Sequence, residues 1–127
     1  LIKNNIDIAI ISNTTDSNRD NLKNINRLEK GGLSGKPLEK ISNTIIKKFY
    51  NHLKNKIFII GVGGVDSGQS AYDKIASGAN LIQLYTGMVF KGPEIAYKIS
   101  SELINILKSK GFKNISEAVG IQKSTWL

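Results

Sequence analysis

Two glycine-bearing segments of the sequence combine residue types that bind anions through the backbone. Residues 61–64 (Gly-Val-Gly-Gly) end one apolar run, and residues 84–87 (Leu-Tyr-Thr-Gly) end another. Glycine has no Cβ, so the N–H groups of Gly63 and Gly64 can lie close against a ligand. The hydroxyl group of Thr86 adds a further donor. Together the two segments predict a site for the phosphate group of a cofactor.

A third polar segment, residues 12–15 (Ser-Asn-Thr-Thr), also follows an apolar run. The Asn13 amide offers two donors and an acceptor, and the hydroxyl groups of Ser12 and Thr14 can both donate and accept. Such groups suit a flat heterocycle whose edge carries carbonyl, N–H and carboxylate groups. We therefore expect this segment to contact a polar ring bound in the same site.

Each segment also has a purely structural interpretation, which the pattern alone leaves open. Residues 61–64 would form an ordinary tight turn, and Tyr85 would pack its ring in the core. Residues 12–15 would close the strand with an Asx or ST turn. Residues 31–35 (Gly-Gly-Leu-Ser-Gly) would be a flexible linker, although the Lys-Pro pair that follows them favours an ordered start to a helix.

Strands and helices that alternate along the chain must position these segments. Apolar runs predict strands over residues 6–11, from residue 57 to the glycine pair at 63–64, and over residues 81–85. The central run suits a strand that is buried on both faces. Apolar residues at helical spacing predict three helices: from Pro37 to about residue 54, from the Ser67 cap to Gly78, and from about residue 95 to Gly111. One more helical turn is predicted at residues 116–119.

This alternation, with short returns between the elements, predicts a parallel sheet with right-handed crossovers. A doubly wound sheet and a (β/α)8 barrel both have this pattern. The barrel is favoured because consecutive strands end in glycine-bearing loops, as they do at a barrel's phosphate site. A complete barrel needs about 250 residues, whereas this chain has 127. We therefore predict an α/β fold that is the back half of a (β/α)8 TIM barrel, with unpaired outer strands and an apolar face.

Composition excludes some classes of function. Lysine and arginine total 18 against 10 acidic residues, and the formal net charge is +8. The lysines, Lys74 among them, are scattered over predicted helix faces without interleaved aromatic residues, so we expect a solvated surface rather than a nucleic-acid interface. The absence of cysteine excludes disulfides, thiolate nucleophiles and zinc–sulfur sites. No apolar stretch approaches the length of a membrane span, about 18 residues or more.

The residue types that most often act in catalysis are scarce or unpaired. His52, the single histidine, has no partner at ligand spacing, and we expect it to be exposed. Trp126 lies in the terminal tail and supports no prediction. No nucleophile–base pair, carboxylate pair or metal-ligand cluster stands out. The sequence predicts a chain that holds a ligand, with no catalytic residue and no metal site assigned.

Four motifs that follow one another in order resemble one enzyme family. They are residues 12–15, 31–38 (Gly-Gly-Leu-Ser-Gly-Lys-Pro-Leu), 59–69 (Ile-Ile-Gly-Val-Gly-Gly-Val-Asp-Ser-Gly-Gln) and 78–87 (Gly-Ala-Asn-Leu-Ile-Gln-Leu-Tyr-Thr-Gly). Nearly the whole chain resembles the C-terminal half of dihydroorotate dehydrogenases, the flavin enzymes of pyrimidine synthesis. The Gly-Lys-Pro-Leu and Leu-Tyr-Thr-Gly stretches resemble the membrane-associated, quinone-reducing class 2 branch.

The resemblance implies a domain assignment and roles for individual residues. Residues 1–127 would be the C-terminal portion of a single FMN-binding barrel domain, whose N-terminal half lies outside this sequence. The implied FMN-binding positions are Ser12, where the family often has threonine, and Gly35, Gly63, Gly64, Tyr85 and Thr86. The implied dihydroorotate- or orotate-binding positions are Asn13 and Thr14. The family's catalytic serine and flavin-contacting lysine belong to the other half, so no catalytic residue is assigned here.

The reaction implied by the resemblance is the oxidation of dihydroorotate to orotate through FMN, with a quinone as electron acceptor, in de novo pyrimidine (UMP) biosynthesis. The implied partners are the substrate, the quinone and the N-terminal half of the barrel, which would also carry a peripheral membrane association. The expected location is the cytoplasmic side of the cell membrane in a bacterium, or the mitochondrial inner membrane in a eukaryote. We expect the isolated chain to be inactive.

Two alternatives stay open. Another FMN-dependent barrel oxidoreductase, such as a class 1 dihydroorotate dehydrogenase or a dihydropyrimidine dehydrogenase-like domain, would be reoxidised by fumarate or NAD instead of a quinone. A noncatalytic basic nucleic-acid-binding module would lose affinity steeply with added salt. The flavin hypothesis instead predicts yellow colour in the full assembly and no nucleic-acid partner.

Overall fold

The computed structural model of the protein describes residues 1–17, 19–20, 22–53 and 56–122. Strands and helices alternate along these residues. The strands are β1 (Ile8–Ile11), β2 (Phe58–Val62) and β3 (Leu81–Gln83), and the helices are α1 (Glu39–Leu53), α2 (Gly68–Ala76), α3 (Thr86–Lys91) and α4 (Ile95–Ser109). Trp126 and the predicted end of the first helix at residue 54 lie outside the described residues.

The sheet has three strands in the order β1–β2–β3, and both strand pairs are parallel. Ile10 of β1 pairs with Ile60 of β2, and Ile60 pairs with Leu81 of β3. Each strand is followed by a helix that returns the chain to the same end of the sheet. The predicted parallel α/β arrangement is confirmed.

Two strands are shorter than the apolar runs that predicted them. β1 starts only at Ile8: a 3-10 turn spans Ile2–Asn4, Asn5 after it is in the left-handed conformation, and the N–H of Ile6 bonds back to the Leu1 carbonyl at 3.3 Å instead of joining the sheet. β3 ends at Gln83, and Tyr85 has left the extended conformation to begin a helix. The polar groups that follow both strands therefore lie on loops or helix starts rather than within the sheet.

Local capping chemistry sets where the helices begin. Pro37 lies in a 3-10 turn that leads directly into α1, which suits its fixed backbone angle. At the start of α2, the Ser67 hydroxyl accepts the N–H of Ser70, and the Ser70 hydroxyl accepts the N–H of Ser67. This capping box satisfies donors that would otherwise lack partners. The predicted helix starts at Pro37 and Ser67 are confirmed.

The short helix α3 is an element that the sequence pattern does not predict. It spans only Thr86–Lys91, which is too short to show an apolar period. Its Val89 and Phe90 side chains are exposed rather than buried. The predicted last turn of the chain is confirmed as a 3-10 turn, Ile115–Ala118.

The helices cover only one face of the sheet. Ile11 and Ile59 are buried with residues of α1 in one apolar cluster. On the opposite face, Ile10, Phe58 and Leu81 are 62%, 52% and 53% exposed. The expectation that β2 is buried on both faces is therefore wrong for this chain, because no element of the described residues covers the second face. Such an uncovered apolar face is predicted from the sequence for half of a barrel.

Lys74 lies in the layer between the helices and the sheet. Its side chain has no exposed surface, so the expectation of a solvated lysine on α2 is wrong. Its Nζ donates hydrogen bonds to Ser42 Oγ at 3.0 Å and to Asn43 Oδ1 at 2.7 Å, both on α1. The stem lies against Gly61, where a Cβ would stand 2.7 Å from Lys74 Cγ. A glycine on β2 therefore provides the space in which this lysine is buried.

The buried position of Lys74 predicts a dependence of stability on pH. Burial lowers its pKa from 10.5 to about 8, and the negative charge of Glu39 opposes this shift. From about pH 8 to pH 10.5 the unfolded chain binds more protons at this position than the folded protein, so stability rises with pH. Urea denaturation should show the free energy of unfolding of the wild type rising across this range relative to that of Lys74→Met.

Below about pH 7 the difference in free energy of unfolding between the wild type and Lys74→Met should not change with pH, because Lys74 is protonated in both the folded and the unfolded state. Lys98, which is exposed on α4, provides the matched control. The difference between the wild type and Lys98→Met should not change over the whole range. A flat difference for Lys74→Met as well would contradict the burial of this ammonium group.

A methyl group added at Gly64, in the glycine pair after β2, should destabilise the protein more than one added at Gly92. Gly64 has a φ of 78°, and a Cβ there would stand 2.5 Å from the Cα of Glu39. Gly92 has almost the same φ, 79°, with nothing within 4 Å of the Cβ position. Gly92 has a ψ of 174°, a combination that essentially only glycine adopts, so Gly92→Ala should cost about 1–3 kcal/mol from the backbone conformation alone. Gly64→Ala should cost about 2 kcal/mol more, because the loop must move away from α1. Equal losses in urea denaturation would show that the contact with Glu39 is unimportant.

Candidate functional site

The residues predicted to bind ligands line a single cavity at the carboxyl ends of the three strands. The cavity has a volume of about 440 Å³, within the range of small-molecule sites. Parallel strands bring their carboxyl ends to one edge of the sheet, so loops that are distant in sequence meet there. The predicted residues that line the cavity are Ser12, Asn13, Thr14, Gly35, Gly63, Gly64, Tyr85 and Thr86.

One side of the cavity presents backbone N–H groups. Among the described residues, none accepts a hydrogen bond from the N–H of Gly63 or Gly64, which follow β2, or of Thr86 or Gly87, which begin α3. Unpaired N–H groups of a turn and of a helix start attract an anion. Tyr85 is 78% exposed, so the alternative that its ring packs in the core is wrong.

The loop before α1 forms a second wall of the cavity. Thr15 and Leu33 form a β-bridge with backbone hydrogen bonds of 3.1 and 2.7 Å. Gly35, with a φ of 77°, approaches α3 so closely that a Cβ there would stand 2.9 Å from Thr86 Cγ2. The Thr86 hydroxyl donates to Ser34 Oγ at 3.1 Å. Residues 31–35 therefore make ordered contacts. These contacts favour an ordered loop that lines the cavity over a flexible linker.

The polar end of β1 forms the third wall. The Oδ1 atom of Asn13 accepts the N–H of the next residue, Thr14, at 2.7 Å. The Thr15 hydroxyl accepts the N–H of Ser17 at 3.2 Å, which is the bond of the ST turn in the alternative interpretation. The Ser12 hydroxyl donates to the carbonyl of Asn13 at 3.5 Å. Asn13 and Thr14 are exposed, and the amide NH2 of Asn13 donates to none of the described residues. This segment therefore forms the local turn and also presents exposed polar groups, those of Asn13 and Thr14, to the cavity.

Sequence reasoning missed the charged residues of the site. The Asp66 carboxylate lies between Lys91, whose Nζ is 3.6 Å from Oδ2, and Lys36, whose Nζ is 3.9 Å away. Lys91 Nζ also donates to the Asp66 carbonyl at 2.8 Å. These three side chains sum to one positive charge beside the N–H groups, which favours an anion. Lys91 could have been found only by predicting α3, because that helix turns it back toward the loop after β2.

The cavity offers groups for binding rather than for proton transfer. Its titratable lining residues, among those described, are Lys36, Asp66, Tyr85 and Lys91, and the carboxylate is engaged by two ammonium groups. His52 lies away from it on the exposed surface of α1, as predicted. One end of the cavity, with the backbone N–H groups, can hold an anion, and the other end, with the polar groups that follow β1, can contact the polar edge of a ring. None of the helices in the described part of the chain is both long enough and apolar enough to cross a bilayer.

Comparisons with known proteins place this arrangement in a family. The family model described as dihydroorotate dehydrogenase matches residues 1–107. The mitochondrial dihydroorotate dehydrogenase (quinone) of Mus musculus is 47% identical over 116 residues, which are 91% of this chain and 29% of the mouse protein. The dihydroorotate dehydrogenase (quinone) of Azorhizobium caulinodans is 41% identical over 115 residues, 91% of this chain and 32% of that protein.

Solved structures agree with the sequence relatives. The crystal structure of ligand-free DHODH from Eimeria tenella superposes with a TM-score of 0.92 at 33% identity, covering 97% of this chain and 34% of that one. The chain thus spans about a third or less of the relatives that it matches, and its fold is part of their (β/α)8 barrel. From the family match, the identities and the shared fold, this chain belongs to the dihydroorotate dehydrogenase family, and its relatives are of the quinone type.

Proposed function

We propose that the complete protein oxidises dihydroorotate to orotate with FMN as cofactor and a quinone as electron acceptor, in de novo pyrimidine biosynthesis. The observation that carries this proposal is the meeting of the predicted binding residues in one cavity, in a chain of this family. Residues 1–127 would be the C-terminal portion of a single FMN-binding barrel domain. The rest of that domain would supply the catalytic base.

The described residues fit the phosphate end of FMN. The N–H groups of Gly63, Gly64, Thr86 and Gly87 lack acceptors among the described residues, and the positive charge of Lys91 lies beside them. Backbone donors with a nearby cation are the usual means of holding a phosphomonoester. The Tyr85 and Thr86 side chains would add to this cradle.

The remaining predicted residues would face the ring systems. Ser12 and Gly35 line the cavity beside the phosphate end, and we assign them to the flavin. Asn13 and Thr14 end β1 with exposed polar groups, and we assign them to the amide and carboxylate edges of dihydroorotate. Their role is to bind and orient the substrate. When bound, FMN supplies the hydride acceptor of the reaction.

The uncovered face of the sheet supports the proposal of a larger barrel. Ile8, Ile10, Phe58 and Leu81 are each more than half exposed, and a complete barrel would bury them in its interior. The missing portion would also carry the quinone site and a peripheral association with the bacterial cell membrane on its cytoplasmic side, or with the mitochondrial inner membrane. No observation favours a nucleic-acid partner. A reoxidation assay that compares quinone, fumarate and NAD as electron acceptors separates the class 2 assignment from the other FMN barrels.

Replacing Asn13 tests the substrate assignment in the complete protein. Asn13→Ala should lower kcat/KM for dihydroorotate by about 10- to 100-fold, because a hydrogen bond to a charged ligand contributes about 1.5–3 kcal/mol and 1.4 kcal/mol is a factor of ten. Steady-state assays of quinone-dependent orotate formation measure this change. The flavin absorbance of the purified protein should be unaltered.

Asn105, which is exposed on α4, is the matched control, and Asn105→Ala should keep the wild-type kcat/KM. An unchanged kcat/KM in Asn13→Ala with normal flavin content would remove Asn13 from the substrate site. A complete wild-type protein that carries no flavin, or whose flavin is not bleached by dihydroorotate, would overturn the proposed function itself.

The isolated 127-residue chain should form no orotate from dihydroorotate in the presence of quinone. The described residues supply binding groups on one side of the cavity and no available base. The assay is the orotate absorbance after long incubation with FMN and a soluble quinone. Turnover above the buffer rate would show that these residues contain a complete catalytic site.

A further inference from the structure

A chain of buried hydrogen bonds lies directly beneath the glycine turn of the cavity. Lys74 Nζ on α2 donates to Ser42 Oγ on α1 at 3.0 Å. Ser42 Oγ in turn donates to the carbonyl oxygen of Val62, the last residue of β2, at 2.6 Å. Lys74 and Ser42 both have no exposed surface. The network therefore connects two helices to the residue immediately before Gly63.

Packing alone does not account for a lysine at this position. A buried ammonium group loses its hydration, and an apolar side chain of similar length would fill the same space without this cost. The ammonium group is retained with two oxygen acceptors, Ser42 Oγ and Asn43 Oδ1. Its presence is explained if it controls the geometry of the groups that it contacts.

The direction of the hydrogen bonds shows how that control would work. Because Lys74 donates to Ser42 Oγ, the hydroxyl hydrogen of Ser42 is left to point at the Val62 carbonyl. The carbonyl of Val62 and the N–H of Gly63 belong to one planar peptide unit, in which they point in opposite directions. Holding the carbonyl toward α1 therefore turns the Gly63 N–H away from the helix layer.

The same carbonyl also joins two walls of the cavity. It accepts the N–H of Ser12 at 3.4 Å, in addition to the Ser42 hydroxyl. Two donors from different elements therefore fix the orientation of the peptide between Val62 and Gly63. The ammonium group of Lys74 strengthens the shorter of these bonds, because hydrogen bonds in a chain polarise one another.

We propose that Lys74 is a positioning residue which, acting through Ser42, aims the Gly63 N–H at the phosphate group of the cofactor. This inference rests on the proposed function, since it takes the phosphate to lie at the glycine turn. Lys74 itself does not line the cavity. Its effect should therefore be specific to ligands that carry a phosphate and small for the ring system.

The experiment compares FMN with riboflavin, which lacks the phosphate group, on the complete protein after removal of its flavin. Quenching of flavin fluorescence gives both values of Kd. Lys74→Met and Ser42→Ala should each weaken FMN binding by about tenfold, as expected for a hydrogen bond to a charged group. Riboflavin binding should change by less than about twofold. The matched controls Lys98→Met and Ser100→Ala, both at exposed positions of α4, should leave both values unchanged.

The outcomes separate the inference from the proposed function. Equal weakening of FMN and riboflavin in both variants would give Lys74 and Ser42 a merely structural role and overturn the inference. A wild-type protein that binds FMN no more tightly than riboflavin would instead overturn the phosphate site. If Lys74→Met does not fold, Ser42→Ala decides, because it removes only the hydroxyl that links Lys74 to Val62.

Discussion

Parallel pairing of β1, β2 and β3 is the constraint on which the rest of the structure depends. Because all three strands run the same way, the chain must cross back over the sheet between one strand and the next, and a helix lies in each of these crossings. The loops that follow the strands then meet at one edge. Ser12 and Tyr85 are far apart in sequence, yet both line one cavity. The chemistry of the site is thus a result of strand direction.

The layer beneath that edge has a second role besides burying apolar surface. Apolar contacts hold α1 to β1 and β2 through Ile46, Ile59 and their neighbours. Within the same layer, Lys74, Ser42 and the Val62 carbonyl form a polar path from α2 to the end of β2. Apolar packing is non-directional, whereas hydrogen bonds have a preferred geometry. The polar path can therefore orient a peptide unit that apolar packing alone would only bury.

Sequence reasoning predicted the parts of the fold that have local causes. Pro37 and Ser67 mark helix starts through their own backbone and side-chain chemistry, and the strands appear as apolar runs. The binding segments could be predicted because residues with bare backbone or short polar side chains directly follow those runs. The burial of Lys74 was not predictable, since it depends on the missing Cβ of Gly61 on another element. Helix α3 was missed because six residues contain too little pattern.

The uncovered sheet face has a practical consequence for handling this polypeptide. Its outer strands, β1 and β3, each have one edge without a partner in the described sheet, and the face between them is apolar. An extended segment of another molecule can add to such an edge by backbone hydrogen bonds alone, whatever its side chains. Colloidal behaviour during expression and refolding, rather than intrinsic fold stability, would then limit what can be learned from these residues in isolation.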